Sequence, residues 1–158
     1  MPGTALLEID FQGWIVALVD DPAVVTRAER VRVAQRARGA HLFCLRYLDA
    51  DRGERGDPRS AAARFVPALA PPADALVLSK SGRDAFDDPD LETNLRIRGV
   101  THVVLTGLLT DHGVLHAARS ARGLGFEVTV IADACRSDTA ANHDAGLRAL
   151  TSLGAHVR

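Results

Sequence analysis

The feature that most constrains this chain is an alternation, sustained from one end to the other, of short apolar runs and longer stretches with helical spacing. Parallel strands cannot be joined by a tight turn, so such alternation argues for βαβ units around a mostly parallel sheet. Residues 4–9 read as a first strand ending at Asp10, residues 41–47 as a second, and residues 75–79 as a third that delivers Lys80 at its end. Residues 102–106 and 127–132 supply a fourth and a fifth, and residues 155–157 add a short sixth. Between them, residues 22–38 carry Val24, Ala28, Val31 and Ala34 at helical spacing and stop at Gly39. Further helices are predicted over 90–98, from about 110 to 122, and over 139–152, where Leu147, Leu150 and Leu153 form an inner stripe. Thr110 and Asp111 are both competent N-caps. The expected fold is an α/β three-layer α/β/α sandwich with a mostly parallel, Rossmann-like sheet of about six strands.

A chain of 158 residues closes one core of ordinary size, since roughly 100–200 residues make one domain. A single domain over 1–158 is therefore expected. Residues 49–60 are charged, glycine-containing and without periodicity, and read as an exposed loop. The chain has no internal repeat and no heptad pattern.

Charge narrows the partners. With 19 basic against 20 acidic residues, the chain has no field that favours nucleic acid or an anionic membrane, and a small molecule is the expected ligand. Two cysteines in apolar segments suit a reducing compartment. Met1-Pro2-Gly3-Thr4 lacks the basic region followed by a long apolar stretch that marks a leader, and no apolar run approaches the roughly 18–20 residues that span a bilayer. A cytoplasmic location is expected.

In an open parallel sheet, ligands collect beyond the carboxyl ends of the strands, where strand order reverses. That rule selects Asp10, Lys80 and Thr110-Asp111-His112-Gly113, which end or follow three different strands. Of the 19 basic residues Lys80 is the only lysine, the others being arginine, and an amine can be tuned by burial in a way that a guanidinium cannot. Singly, an aspartate after a strand is most often a turn residue and a lysine a surface residue. The chain contains no dinucleotide, phosphate-loop, zinc-protease or Cys-x-x-Cys motif. His41, His102, His116, His143 and His156 show no metal-ligand spacing, and neither metal nor cofactor is expected. His112 could accept a proton at a helix start, or simply cap or contact its neighbours.

The order of these residues resembles the isochorismatase-like cysteine hydrolases, a family that includes nicotinamidases, ureido-compound amidohydrolases and isochorismatases. Ala5-Leu6-Leu7-Glu8-Ile9-Asp10-Phe11-Gln12 is similar to the family's opening strand and catalytic aspartate, and Ser79-Lys80-Ser81-Gly82-Arg83-Asp84-Ala85-Phe86 to the segment around its catalytic lysine. The run from Val103 through Thr110-Asp111-His112-Gly113 to Arg119 resembles the strand, turn and nucleophile helix. Residues 127–135 and His143 continue the likeness, whereas the segment from Leu48 to about Ala70 is shorter than is usual in the family.

The resemblance implies that Asp10 and Lys80 are catalytic, and that Phe11, Gln12, Leu109, Thr110, His112 and Gly113 contact substrate. It puts Gly113 where amidase members carry their cysteine nucleophile. Members acting on isochorismate also have glycine there and hydrolyse a vinyl ether. By that likeness Asp10 would protonate the enol-ether carbon, Lys80 would hold Asp10, and Gly113 would make room for substrate. Thr110-Asp111, in contrast, resembles the amidase members. A hydrolase working without a covalent thioester, and a non-catalytic descendant that binds a ligand or partner, both remain open. The family likeness further implies a cis peptide between Leu109 and Thr110, and a homodimer or larger assembly.

Overall fold

Each apolar run becomes a strand in the computed structural model, which describes residues 3–158. The strands β1 (Gly3–Ile9), β2 (His41–Tyr47), β3 (Leu76–Lys80), β4 (Val100–Leu108), β5 (Glu127–Arg136) and β6 (His156–Val157) form one sheet ordered β3-β2-β1-β4-β5-β6. All five neighbouring pairs are parallel. Strand order reverses at β1, which leaves to β2 on one side and lies against β4 on the other. Ala5 through Ile9 are buried on both faces, as expected of a central parallel strand.

After β1, the short α1 (Gly13–Val16) and the longer α2 (Val24–Ala37) cover one face, where Val24 and Ala28 meet Phe11 and Leu108. On the other face lie α3 (Pro89–Ile97), α4 (Leu115–Gly123) and α5 (Ala140–Ser152), whose Leu91, Leu95, Ala117, Ala121 and Leu150 join Leu7 and Leu105 in one apolar cluster. The result is the three-layer α/β/α arrangement with six strands.

The inner stripe of α2 departs from the apolar spacing, because Arg32 and Gln35 are buried while Ala34 faces solvent. Arg32 is tolerated there because Glu8 on β1 answers its charge, its Nε donating to Glu8 Oε1 at 2.9 Å. Its second nitrogen also donates to the Leu69 carbonyl, which ties the 48–75 segment to the helix.

That segment is more built than a charged loop suggests. Two short 3-10 turns within Ala50–Arg55 are separated by a kink at Arg52 and Gly53, and another 3-10 turn spans Pro67–Leu69. Gln12 bridges to Phe65 in an isolated antiparallel pair, and the Val66 amide donates to the Phe11 carbonyl at 2.9 Å. Most side chains of residues 50–59 do face solvent, as expected.

β5 runs four residues past its expected end, with a bulge: Leu105 pairs with Val130, but Gly107 pairs with Cys135. Gly107 has φ +140, and a Cβ there would lie 2.3 Å from the Ile9 carbonyl, so only glycine lets β4 approach β1 at this level. The expected N-caps after β4 do not form. A π-helical turn over Thr110–Val114 precedes α4, and no side chain caps it. Instead Thr110 Oγ1 and His143 Nδ1 share a 2.8 Å hydrogen bond, and Ser137 Oγ donates to Asp111 Oδ1 at 2.6 Å. Gly146 lets α5 press on this turn, since a Cβ there would sit 2.9 Å from the Asp111 nitrogen. The cis peptide is one residue earlier than expected, between Leu108 and Leu109. No helix among the described residues is long and apolar enough to cross a membrane.

Candidate active site

Asp10 is the first residue beyond β1 and therefore stands at the point where strand order reverses. Its φ of 60 turns the chain off the strand, a conformation that aspartate tolerates better than most residues. Two backbone hydrogen bonds hold it there: its amide donates to the Leu45 carbonyl at 3.0 Å, and its carbonyl accepts from the Gln12 amide at 2.7 Å.

Lys80 comes from two strands away. It ends β3 opposite Tyr47 on β2, and its side chain reaches past the Tyr47 ring, with Nζ 5.9 Å from the ring centroid. There Nζ lies 2.8 Å from Asp10 Oδ2 and donates to the Arg83 carbonyl at 3.1 Å. Both residues are 5% exposed. Burial pushes the Asp10 carboxyl up to about 6, and the Lys80 ammonium restrains that rise through its charge and hydrogen bond. The other oxygen, Asp10 Oδ1, is buried and has no hydrogen-bond partner.

Gly113 lies on the π-helical turn beside this pair. A Cβ built on it would lie 3.4 Å from Lys80 Nζ and would crowd the Leu108 carbonyl at 3.1 Å and Ile9 Cγ2 at 3.2 Å. Above Asp10, Lys80 and Gly113 opens a pocket of about 320 Å³, within the range of small-molecule sites. Trp14 and Tyr47 form an edge-to-face pair in its wall, with ring centroids 6.1 Å apart. Ile15, Leu18, Leu108 and Leu109 supply its apolar surface, and Arg52, Arg83 and His112 its polar remainder.

Asp10, Lys80, Leu109, His112 and Gly113 are thus brought together. The side chains of Phe11, Gln12 and Thr110 are not. Phe11 is buried in the core beneath α2. Gln12 spends its whole amide on backbone: Nε2 donates to the Tyr47 and Ala63 carbonyls, each at 2.9 Å, and Oε1 accepts from the Tyr47 amide at 2.7 Å. Thr110 is fully buried and bonded to His143. Position beside a site residue in sequence does not put these side chains in the pocket.

Trp14, Tyr47, Arg52 and Arg83 line the pocket without having been singled out. Tyr47 could have been found, because it ends a strand on the same rim as Asp10 and Lys80. Arg52 could not, since nothing local distinguishes it from the other arginines of a charged segment. Neither cysteine lines the pocket. Cys44 lies on β2 near Glu8 and Arg32, Cys135 lies in β5, and burial pushes both thiols up to about 12. No group of three or more His, Cys, Asp or Glu able to hold a metal occurs among the described residues.

Comparison with known proteins is consistent over the full length. The Isochorismatase domain profile matches residues 4–158. An uncharacterized isochorismatase family protein of Escherichia coli O157:H7, YecD, is 31% identical over 173 positions, covering 98% of this chain and 91% of its own. Pyrazinamidase/nicotinamidase from Streptococcus mutans superposes with a TM-score of 0.87 at 27% identity, over 99% of this chain and all of the other. An isochorismatase family protein from Burkholderia thailandensis gives 0.85 at 30% identity, over 99% and 92%. With the profile matching 155 of its residues and the whole fold superposing on family structures, this chain belongs to the isochorismatase family.

Proposed function

We propose that the protein hydrolyses a small polar metabolite by acid-base chemistry on Asp10 and Lys80, with no covalent bond to a cysteine, and that the bond broken is a vinyl ether. The observation that carries this reading is the state of the Asp10 carboxyl. One oxygen is fixed by Lys80, the other is unpartnered, and the group titrates near 6 in a residue that lines the pocket. A carboxyl so placed holds a proton close to the working range of an enzyme and is free to give it up.

The chemistry follows from that arrangement. The Asp10 carboxyl transfers its proton to the terminal carbon of the enol ether, and the ether oxygen shares the positive charge left on the adjacent carbon. Water adds at that carbon and returns a proton to Asp10. The hemiketal then collapses to a ketone and an alcohol, so one water is consumed and the acid is regenerated. Lys80 keeps the carboxyl in one orientation and prevents its pKa from rising further. Gly113 leaves open the space that a side chain would fill beside Lys80 Nζ.

Amide hydrolysis through an acyl-enzyme is disfavoured, because it needs an activated thiolate at the pocket. Cys44 and Cys135 are elsewhere and hold their protons tightly. The test is a panel of enol ethers and matched amides offered to the wild type and to Asp10→Asn. Turnover of an enol ether by the wild type, lost in the variant, supports the proposal. Turnover of amides alone would overturn the mechanism, and binding without turnover would leave a ligand-binding protein.

A further inference from the structure

The turn that carries Gly113 is held from behind by a buried histidine that lies outside the pocket. Thr110 opens this turn and is fully buried, and its Oγ1 lies 2.8 Å from Nδ1 of His143, which is itself only 6% exposed. A threonine hydroxyl has one hydrogen to give, and that of Thr110 has no other partner among the described residues. With a proton on Nδ1, the buried hydroxyl hydrogen would lack an acceptor, a defect that folded proteins seldom carry. Thr110 is therefore the donor, Nδ1 the acceptor, and the ring hydrogen sits on Nε2. Protonation of the ring makes both nitrogens donors and removes that acceptor.

The turn closes on Leu109, whose carbonyl accepts from the His112 and Val114 amides at 3.1 and 3.2 Å, and it brings Leu109, His112 and Gly113 to the pocket. Behind it α5 packs closely, since a Cβ on Gly146 would lie 3.0 Å from Thr110 Cγ2. Charged groups face the His143 ring from every side: Arg136 on β5, Asp144 on α5 itself, Asp20 between α1 and α2, and Arg27 on α2. Arg136 pairs with Asp20 and Arg27 with Asp21, each at 2.7 Å, so both cations are already answered. Burial, and after it Arg136, hold the ring below its ordinary 6.5, and the N-terminal amides of α5 act in the same sense. We propose that His143 is a positioning residue of the site: its unprotonated Nδ1 latches the Gly113 turn through Thr110, and acid releases the latch. The latch is whole above pH 6.5 and is lost as pH falls through the lower midpoint of the folded ring. Its effect on turnover rests on the proposed function, because the turn borders the Asp10–Lys80 pair; the latch itself does not.

Proton and nitrogen NMR of Asp10→Asn, which removes the titrating carboxyl beside the turn, tests the latch without a substrate. The Gly113 amide resonance should move with the same midpoint as the His143 ring, below 6.5. Adding His143→Asn should abolish that movement and keep the high-pH position, because the asparagine oxygen accepts from Thr110 and does not titrate. Thr110→Val, close in size, removes the donor instead, so the His143 midpoint should rise. In turnover of an enol ether with Asp10 intact, His143→Asn should lose the acid limb of the pH profile and keep the decline above about 6 that belongs to Asp10. A Gly113 movement that survives in His143→Asn, or a His143 midpoint unchanged in Thr110→Val, would overturn the inference. The second readout decides the matter even where the first variant does not fold. A latch seen by NMR in a protein that turns over no enol ether would sink the hydrolase reading and leave this one standing. Turnover with the same acid limb in the wild type and His143→Asn would do the reverse.

Discussion

Lys80 Nζ stands 2.8 Å from one oxygen of the Asp10 carboxyl while the other oxygen is buried and without a partner. The pair is therefore half satisfied. Burial raises the carboxyl from 3.8 to about 6, so the folded chain binds this proton more tightly than the unfolded chain does. The contribution to stability is present in full below pH 3.8 and is lost as pH rises through about 6. Carbon-13 NMR of the Asp10 carboxyl should show a midpoint near 6, and turnover should decline above it. A midpoint in the ordinary aspartate range would contradict this account of the site.

Lys80→Met removes the one charge that restrains Asp10, so the carboxyl should titrate above 6 in this variant. At pH 8 the variant then holds an uncompensated buried carboxylate, a defect that costs on the order of 3–5 kcal/mol. At pH 5 the carboxyl is protonated and the cost shrinks. Denaturant midpoints at the two pH values should show the larger deficit at pH 8; equal deficits would mean that Lys80 does not compensate Asp10.

The thiols predict a contrast in reactivity. Cys44 and Cys135 are buried and both are pushed up to about 12, so alkylating reagents should modify the folded protein slowly and leave function intact. In Gly113→Cys the new Cβ lies 3.4 Å from Lys80 Nζ. Its thiol should have a depressed pKa and react faster than either native cysteine, and native function should fall as the space fills. Mass spectrometry of timed alkylation distinguishes the three sites. An unreactive thiol at 113 with unchanged ligand binding would place the working site elsewhere.

Gln12 acts through the backbone it holds. Gln12→Ala leaves the Tyr47 amide, the Tyr47 carbonyl and the Ala63 carbonyl without their present partner. The expected loss is about 1–3 kcal/mol, the usual cost of leaving a buried polar group unsatisfied. Exchange at the Tyr47 amide should quicken, while that at Leu105 in the centre of β4 should not change. Unaltered exchange at Tyr47 would show that Gln12 does not pin the end of β2.

The strands and the meeting of Asp10 with Lys80 were legible because both follow from local pattern. Period and strand-end position depend on neighbours in sequence, and parallel topology then brings the ends of β1 and β3 to one rim. The 48–75 segment was not legible, because its order comes from distant groups, Gln12 on Ala63 and Arg32 on Leu69. Arg32 itself defeats the apolar stripe of α2, since its burial depends on Glu8 across the layer. The bulge in β5 and the cis peptide at Leu108 rather than Leu109 likewise depend on how strands abut, which spacing along the chain does not encode.

The central claim is that hydrolysis runs on the Asp10 proton and passes through no covalent bond to the protein. Hydrolysis of an enol ether in deuterium oxide tests it directly, because protonation at carbon leaves solvent deuterium in the ketone product. The account predicts deuterium at that carbon, no protein-bound mass during turnover, and a loss of about 100-fold or more in Asp10→Asn, the usual size of a general acid's contribution. Turnover that survives in Asp10→Asn, or an adduct on the protein, would contradict it.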